Sequence, residues 1–571
     1  MEYVLFACAV FVALIVFFVN GTIESKKRKK RFVKSLYENY GKNSEKEYPI
    51  GRLETIVSYY KQKKCDFYID DITWNDLDMD RIFKKLDTTF SAAGEEALYA
   101  MLRCPKFDLN ELSEQEQMIR YFMEQEKERV DVQTLCASIG RTGRYSVFDY
   151  LGYLDNLKEK KNGIHYLMIL LLCISLVVCF FNVSIGMMAF LVLMITNLLA
   201  YFREKREIDP YITTMAYAVR VLCSVDGFVK SDIEGITKET KRMQQIKKEF
   251  AGFLRASFLI TRTSDLSGNP LDLLVEYLKM GLHFDLIKFN QMLKEMKKKQ
   301  PLFIELVSFI GTIESNIAIG SFRKSCKEYC VPELLNGYLE NDLDKGANVS
   351  MHEIEMEQMY HPLITDPVCN SFSENKGMLL TGSNASGKST FLKTVALNAI
   401  LSQTIHTSCS KTYKANLFKV YSSMSLKDDL EKKDSYFIVE IKALKRVIDS
   451  IKDTKIPVLC FVDEVLRGTN TVERITASTE ILKSLCTNRS LCFAATHDIE
   501  LTTLLEDYYH NYHFEEQIKE NDVLFNYQLM HGCATTRNAI KLLNIFGYDE
   551  TIIQNANNRA EVFLEKGTWV I

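Results

Sequence analysis

The chain is 571 residues long and nearly balanced in charge, with 71 Lys and Arg against 74 Asp and Glu and a formal net charge of −3. That length calls for several domains, and the balance removes any global electrostatic case for nucleic acid, leaving only local basic faces. The 15 cysteines include no C-x-x-C pair, the nearest approach being Cys326 to Cys330, which argues for reduced thiols over disulfides or zinc.

Tyr3 to Val19 is a charge-free apolar run of 17 residues, followed by Lys26-Lys-Arg-Lys-Lys-Arg31. One bilayer crossing takes about 20 residues, and a basic cluster on the C-terminal side places Met1 outside and residue 26 onward in the cytosol. A cleaved signal peptide fits less well, because Met1-Glu2 carries no positive charge and no small-x-small site closes the run. Further on, Met79 to Leu86 and Glu95 to Leu102 repeat apolar residues at three- and four-residue spacing, with Ser91 as a helix start, and Glu114 to Arg129 is a charged helical stretch.

Tyr166 to Phe202 then runs 37 residues without Asp, Glu, Lys, Arg or His, long enough for two short crossings. Asn182-Val-Ser-Ile-Gly186 marks the turn, and basic residues flank both ends, Lys158 to Lys161 before and Arg203 to Arg206 after. Both ends therefore face the cytosol, which a hairpin allows and a single crossing does not. Thr213 to Val229, Thr237 to Ser257, Pro270 to Met296 and Leu302 to Lys327 read as amphipathic helices whose apolar stripes are core. Asn341 to Ser350 is a polar linker.

The strongest chemical signal follows the apolar run Met378 to Thr381: Gly382, Ser383, Asn384, Ala385, Ser386, Gly387, Lys388, Ser389 and Thr390 form a complete G-x-x-x-x-G-K-[ST] phosphate loop. A strand, a glycine-rich turn and a helix N-terminus direct backbone N–H groups at phosphate. Lys388 neutralises the β- and γ-phosphates of ATP in this reading, and the Ser389 hydroxyl ligates Mg²⁺. A second apolar run, Ile456 to Val462, delivers Asp463 for Mg²⁺ and Glu464 as general base. A third, Ser490 to Thr496, ends in His497, a γ-phosphate sensor or, in the bland reading, a satisfied strand-end histidine.

No glycine occurs between Phe391 and Val462, so the Leu-Ser-Gly-Gly-Gln signature of an ABC transporter is missing from its place. Asp428-Asp429-Leu430 and Ser435 to Glu440 stand there instead, and Arg467-Gly468-Thr469 follows Asp463-Glu464. Together with His361-Pro362, the phosphate loop and Thr496-His497, these residues resemble the ATPase domain of the MutS family, known for DNA mismatch repair. The likeness runs from about Ile313 to Leu564, and a weaker one covers Asp71 to Leu77 and Ser91 to Tyr99, similar to the start of the family's helical core.

The resemblance implies a fold: an α/β P-loop ATPase domain, ABC-type and MutS-like, C-terminal to a mainly α-helical core and lever region, to which the apolar runs add three transmembrane helices. It implies a homodimer in which Ser435 reaches across to the partner's nucleotide, and it adds His361 to the nucleotide-binding residues. The chain then divides into an anchor at 1–25, a cytosolic linker at 26–69, helical core at 70–164, a transmembrane hairpin at 165–202, further core and lever at 203–340, and the ATPase domain at 341–571.

Departures from the family pattern are Asp434 for a glycine, Glu473-Arg474 for Asp-Gly, and Thr536-Arg-Asn538 for Ser-Tyr-Gly. No Gly-x-Phe-x-Glu mismatch wedge occurs; Phe122-Met-Glu124 lacks the glycine. Lys294 to Lys299 is a lysine-rich stretch that reads as a solvated helix face or as a contact for DNA backbone. Two outputs for the ATP-driven movement stay open: clamping of mismatched DNA, as the resemblance implies, or work on a partner in the lipid bilayer or on another protein, without DNA.

Overall fold

The computed structural model describes residues 2–571 apart from 45, 63–64, 262–279, 336–351, 384–385, 425–435, 453–454, 468, 520–521, 535–539, 541–542, 544–546 and 567–571. In the first helix, Glu2–Asn39, side chains are described from residue 20. The linker expected at Asn341 to Ser350 lies outside the described residues. The chain forms two compact units, one of Met1–Lys64, Phe83–Met101 and Glu114–Ser325, the other of Cys65–Ile82, Leu102–Ser113 and Cys326–Ile571.

The first unit is helical among its described residues. Its core gathers around the N-terminus of the helix Ala92–Arg103, where the Ser91 hydroxyl accepts the Gly94 N–H at 3.0 Å, as an N-cap does. Glu314 accepts the Phe90 and Ser91 N–H groups (2.6 and 3.2 Å), while Arg52 donates to Glu95 (2.6 Å) and Glu96 (2.9 Å). These carboxylates are buried, and pairing with cations and N–H groups is what makes their burial tolerable. The charged stretch Glu114 to Arg129 divides into two helices, Leu109–Glu124 and Glu126–Ile139, with Gln125 between them.

Among the described residues, three helices are long and apolar enough to cross a membrane by length and composition: Gly163–Phe181, Val183–Ser231 and Phe284–Ser325. In the first two only 17% and 11% of the apolar window is buried, so those faces have no protein cover; in the third 67% is buried, and that helix is core. Asn182 separates the first two, and its side chain accepts the Ile185 N–H (3.1 Å) to cap the second. The two pack closely, since a Cβ on Gly186 would lie 2.5 Å from the Cys179 backbone nitrogen. The helix Phe284–Ser325 bends at Lys299 (φ −117°, ψ 15°), two residues before Pro301, whose ring and missing N–H interrupt the helical ladder.

The second unit is α/β. Its larger sheet orders its strands β10-β9-β4-β8-β7-β6, with β4 Gly377–Thr381, β6 Lys419–Ser423, β7 Val458–Asp463, β8 Ser490–Ala495, β9 Tyr509–Lys519 and β10 Asp522–His531. All neighbours are parallel except β9 and β10. Strands β4, β7 and β8 are almost wholly buried, which explains their continuous apolar sequence. A smaller sheet, β1-β5-β2-β3, joins β1 Glu333–Leu335, β2 Ile354–Met359, β3 Asn370–Glu374 and β5 Thr412–Asn416.

Segments 65–82 and 102–113, which the sequence pattern places in or beside the helical region, belong to this unit. The helix Asp71–Asp76 lies on the exposed flank of β6: Asp76 accepts the Ser422 hydroxyl (2.6 Å) and the Met424 N–H (2.9 Å), and Thr73 Oγ1 accepts the Ser422 N–H (3.1 Å). Arg446 reaches both Asp70 and the Ser422 carbonyl at 2.6 Å.

Candidate nucleotide site

Leu380 of β4 and Asp463 of β7 both pair with Ala495 of β8, so the C-terminal ends of three adjacent strands come level. At this edge the chain leaves β4 through Gly382, whose φ is +134° and whose Cβ, if it had one, would lie 2.8 Å from the Phe514 carbonyl oxygen. Only glycine accepts both conditions. Ser386 Oγ donates to the Ser383 carbonyl (2.8 Å), and the Ser383 hydroxyl donates to the Glu516 carboxylate on β9. Gly387, at φ +104°, opens the helix Lys388–Thr404, whose first N–H groups lack intrahelical partners by geometry. Asn384 and Ala385 lie outside the described residues; Thr390 is exposed on the first turn.

Lys388 is buried, and its Nζ donates to the Gly382 and Ser383 carbonyls at 2.8 Å each. Burial pushes its ammonium below the ordinary lysine range, against the pull of Asp463, Glu464 and Glu516. Burial also pushes Asp463 above the ordinary carboxylate range; the Ser389 hydroxyl, bonded to it, pulls it down, and Glu464 pushes it further up. The structure thus brings Ser389 and Asp463 together. Asp463 Oδ1 is buried without a hydrogen-bond partner among the described residues. An unspent carboxylate oxygen beside a serine hydroxyl is the hard-oxygen donor set that suits Mg²⁺.

Glu464 follows directly, with its own N–H bonded to the Ala495 carbonyl (2.9 Å). Its Oε1 lies 2.8 Å from His497 Nε2 and its Oε2 lies 2.8 Å from Arg467 Nη1. His497 is therefore a partner of the candidate base. Arg474, one of the departures from the family pattern, pairs through two nitrogens with Asp498 (2.8 and 2.5 Å), one residue beyond His497. His361 stands in the turn after β2, where its Nδ1 accepts the Leu363 N–H (3.3 Å). Ser435 lies outside the described residues.

Two participants escaped the sequence. Glu516 sits in a strand with no motif around it, and only the fold brings it to Ser383. Glu440 was visible as the end of a motif, but its bond to the Leu466 N–H joins residues 26 apart in the chain.

A level row of strand ends carrying a glycine-rich loop, a lysine, a buried aspartate and a glutamate–histidine pair defines an ATPase-type α/β domain. Residues 378–563 match the family model for MutS domain V. The chain is 26% identical over 253 residues to the DNA mismatch repair protein MutS of Clostridium perfringens, covering 41% of this chain and 27% of that protein. It is 28% identical over 255 residues to the DNA mismatch repair protein MutS of Clostridium botulinum (strain Okra), covering 41% and 26%. Over these residues the chain is similar to MutS domain V. It spans about a quarter of the length of the curated relatives it matches.

Proposed function

We propose that this protein is a membrane-anchored, dimeric ATPase with an ABC-type P-loop domain in the cytosol. The observation that carries the reading is the convergence of Lys388 and Ser389 with Asp463, Glu464 and His497 at three adjacent strand ends. The loop N–H groups and Lys388 would bind the β- and γ-phosphates of ATP. Ser389 and Asp463 would hold Mg²⁺, which neutralises phosphate charge when bound. Glu464 would accept a proton from the attacking water, held in place by His497 and Arg467. Ser435 of a second copy would complete the site, so that ATP closes two domains together and hydrolysis releases them.

Membrane anchorage is supported by the uncovered apolar faces of Gly163–Phe181 and Val183–Ser231 and by the cap at Asn182 that turns one into the other. Two outputs compete. Relatives named for DNA mismatch repair favour a clamp on DNA. Work on a membrane or protein partner is favoured by Phe122, which is fully buried and cannot serve as an intercalating wedge. Two of the four lysines of the stretch 294–299 point the same way: Lys297 donates to the Asp155 and Leu157 carbonyls (3.0 and 2.6 Å), and Lys299 to Glu295 (3.0 Å), while Lys294 and Lys298 are exposed. Cations engaged in this way offer little to phosphate.

The deciding experiment is the ATPase rate of the full-length protein in lipid discs, with and without perfect and mismatched duplex, using Glu464→Gln as the blank. Stimulation by mismatched DNA would establish the repair-like clamp. Hydrolysis indifferent to DNA would establish the mechanical reading, and no hydrolysis above the blank would dismiss the ATPase.

A further inference from the structure

The turn that carries Glu464 is strained. Glu464 and Leu466 both adopt φ +56°, a left-handed conformation that side-chain-bearing residues avoid. Two such residues in three positions persist only where surrounding bonds over-determine the backbone. The Glu464 N–H reaches the Ala495 carbonyl on β8, and the Ser478 hydroxyl donates to the Val465 carbonyl (3.3 Å). A further bond comes from a different helix. The Leu466 N–H, presented by the left-handed residue itself, donates to Glu440 Oε1.

Glu440 is 5% exposed, and its Oε2 is buried with no hydrogen-bond partner among the described residues. A carboxylate so buried is costly unless it is paired and hydrogen-bonded, and Oε1 has the Leu466 N–H for that. Burial raises its pKa, the Leu466 N–H lowers it, and Glu464 raises it again, which places the two carboxylates within electrostatic reach. Glu440 stands on the helix Tyr436–Lys452, five residues after Ser435.

We propose that Glu440 is a positioning residue for hydrolysis: by accepting the Leu466 N–H it fixes the turn that presents Glu464, and it ties that turn to the helix Tyr436–Lys452. The inference rests on the ATPase reading of the site.

The test measures steady-state hydrolysis and separately measured MgATP affinity for the full-length protein in lipid discs, comparing wild type, Glu440→Ala, Glu440→Asp, Glu440→Gln, and Lys388→Ala as the non-binding control. Glutamine keeps an oxygen that accepts the Leu466 N–H, whereas aspartate is one methylene too short to reach it. The expected result is a fall in kcat of about 10- to 100-fold for Ala and Asp, with KM and affinity within about twofold of wild type, and rescue by Gln to within about threefold of wild-type kcat. Unchanged kcat in Glu440→Asp would overturn the proposal, as would equal loss of kcat and MgATP affinity in all three variants, since that is the signature of a merely structural group. If wild type binds MgATP no better than Lys388→Ala, the ATPase reading itself fails, and that outcome is separate because it appears before any Glu440 variant is compared.

Discussion

In the proposed ATPase, Lys388 would serve binding and Glu464 chemistry, because one faces the loop carbonyls and the other the His497 and Arg467 side chains. Lys388→Ala should lose MgATP affinity, measured by titration with a fluorescent nucleotide; retained affinity and turnover would dismiss the phosphate loop. Glu464→Gln should bind MgATP as wild type does and hydrolyse it about 10²- to 10⁴-fold more slowly, the range a general base contributes. Equal loss of affinity in both variants would remove the division of labour. Most of the site was legible at this scale because glycine, lysine and acidic residues at fixed spacing report backbone constraints and charge needs directly, as Gly382 does through its φ and its closeness to Phe514. What was illegible, Glu516 on Ser383 and Glu440 beneath Leu466, depends on which strands and helices become neighbours.

Among the elements, the pair Gly163–Phe181 and Val183–Ser231 makes the sharpest claim. Ser184, exposed just past the Asn182 cap, should be reachable after Ser184→Cys substitution only by a membrane-impermeant thiol reagent added from outside, in a background without the native cysteines. Labelling from the cytosolic side would overturn the hairpin. Its turn was readable because a polar Asn182 interrupts an apolar run and caps the next helix. The helix Phe284–Ser325 shows where reading by composition stops: it is long and apolar enough to span, yet most of its apolar window is buried in the helical unit. Its bend at Lys299, two residues before Pro301, falls between the two helices expected from the sequence.

For the molecule as a whole, buried carboxylates set how stability responds to pH. Burial lifts Glu96 from an ordinary 4.5 to about 7, against the opposing pull of Arg52, the Ser146 hydroxyl and the Val147 N–H. Between those values the folded protein holds a proton that the unfolded chain has released. The stabilisation is therefore complete below pH 4.5 and is lost as pH rises through 7. Relative to Glu96→Gln, which does not titrate, wild type should lose on the order of ~3 kcal/mol at most across that window. Denaturation of both proteins in the same lipid at a series of pH values would check this, and a constant difference between them would refute it. The division of residues 70–164 between two units was the least legible feature, because the bonds that draw the helix Asp71–Asp76 onto β6 come from residues some 350 positions later, Ser422 among them with |i−j| of 346 to Asp76.

That borrowed helix limits how the domain can be inherited. A gene fragment beginning at Cys326 would encode every motif of the nucleotide site, yet it would leave Arg446 without Asp70, and Ser422 without Thr73 and Asp76. A contiguous cassette starting there would lack the partners of β6 and Arg446, and recombination that moved the unit intact would have to bring the early segments along.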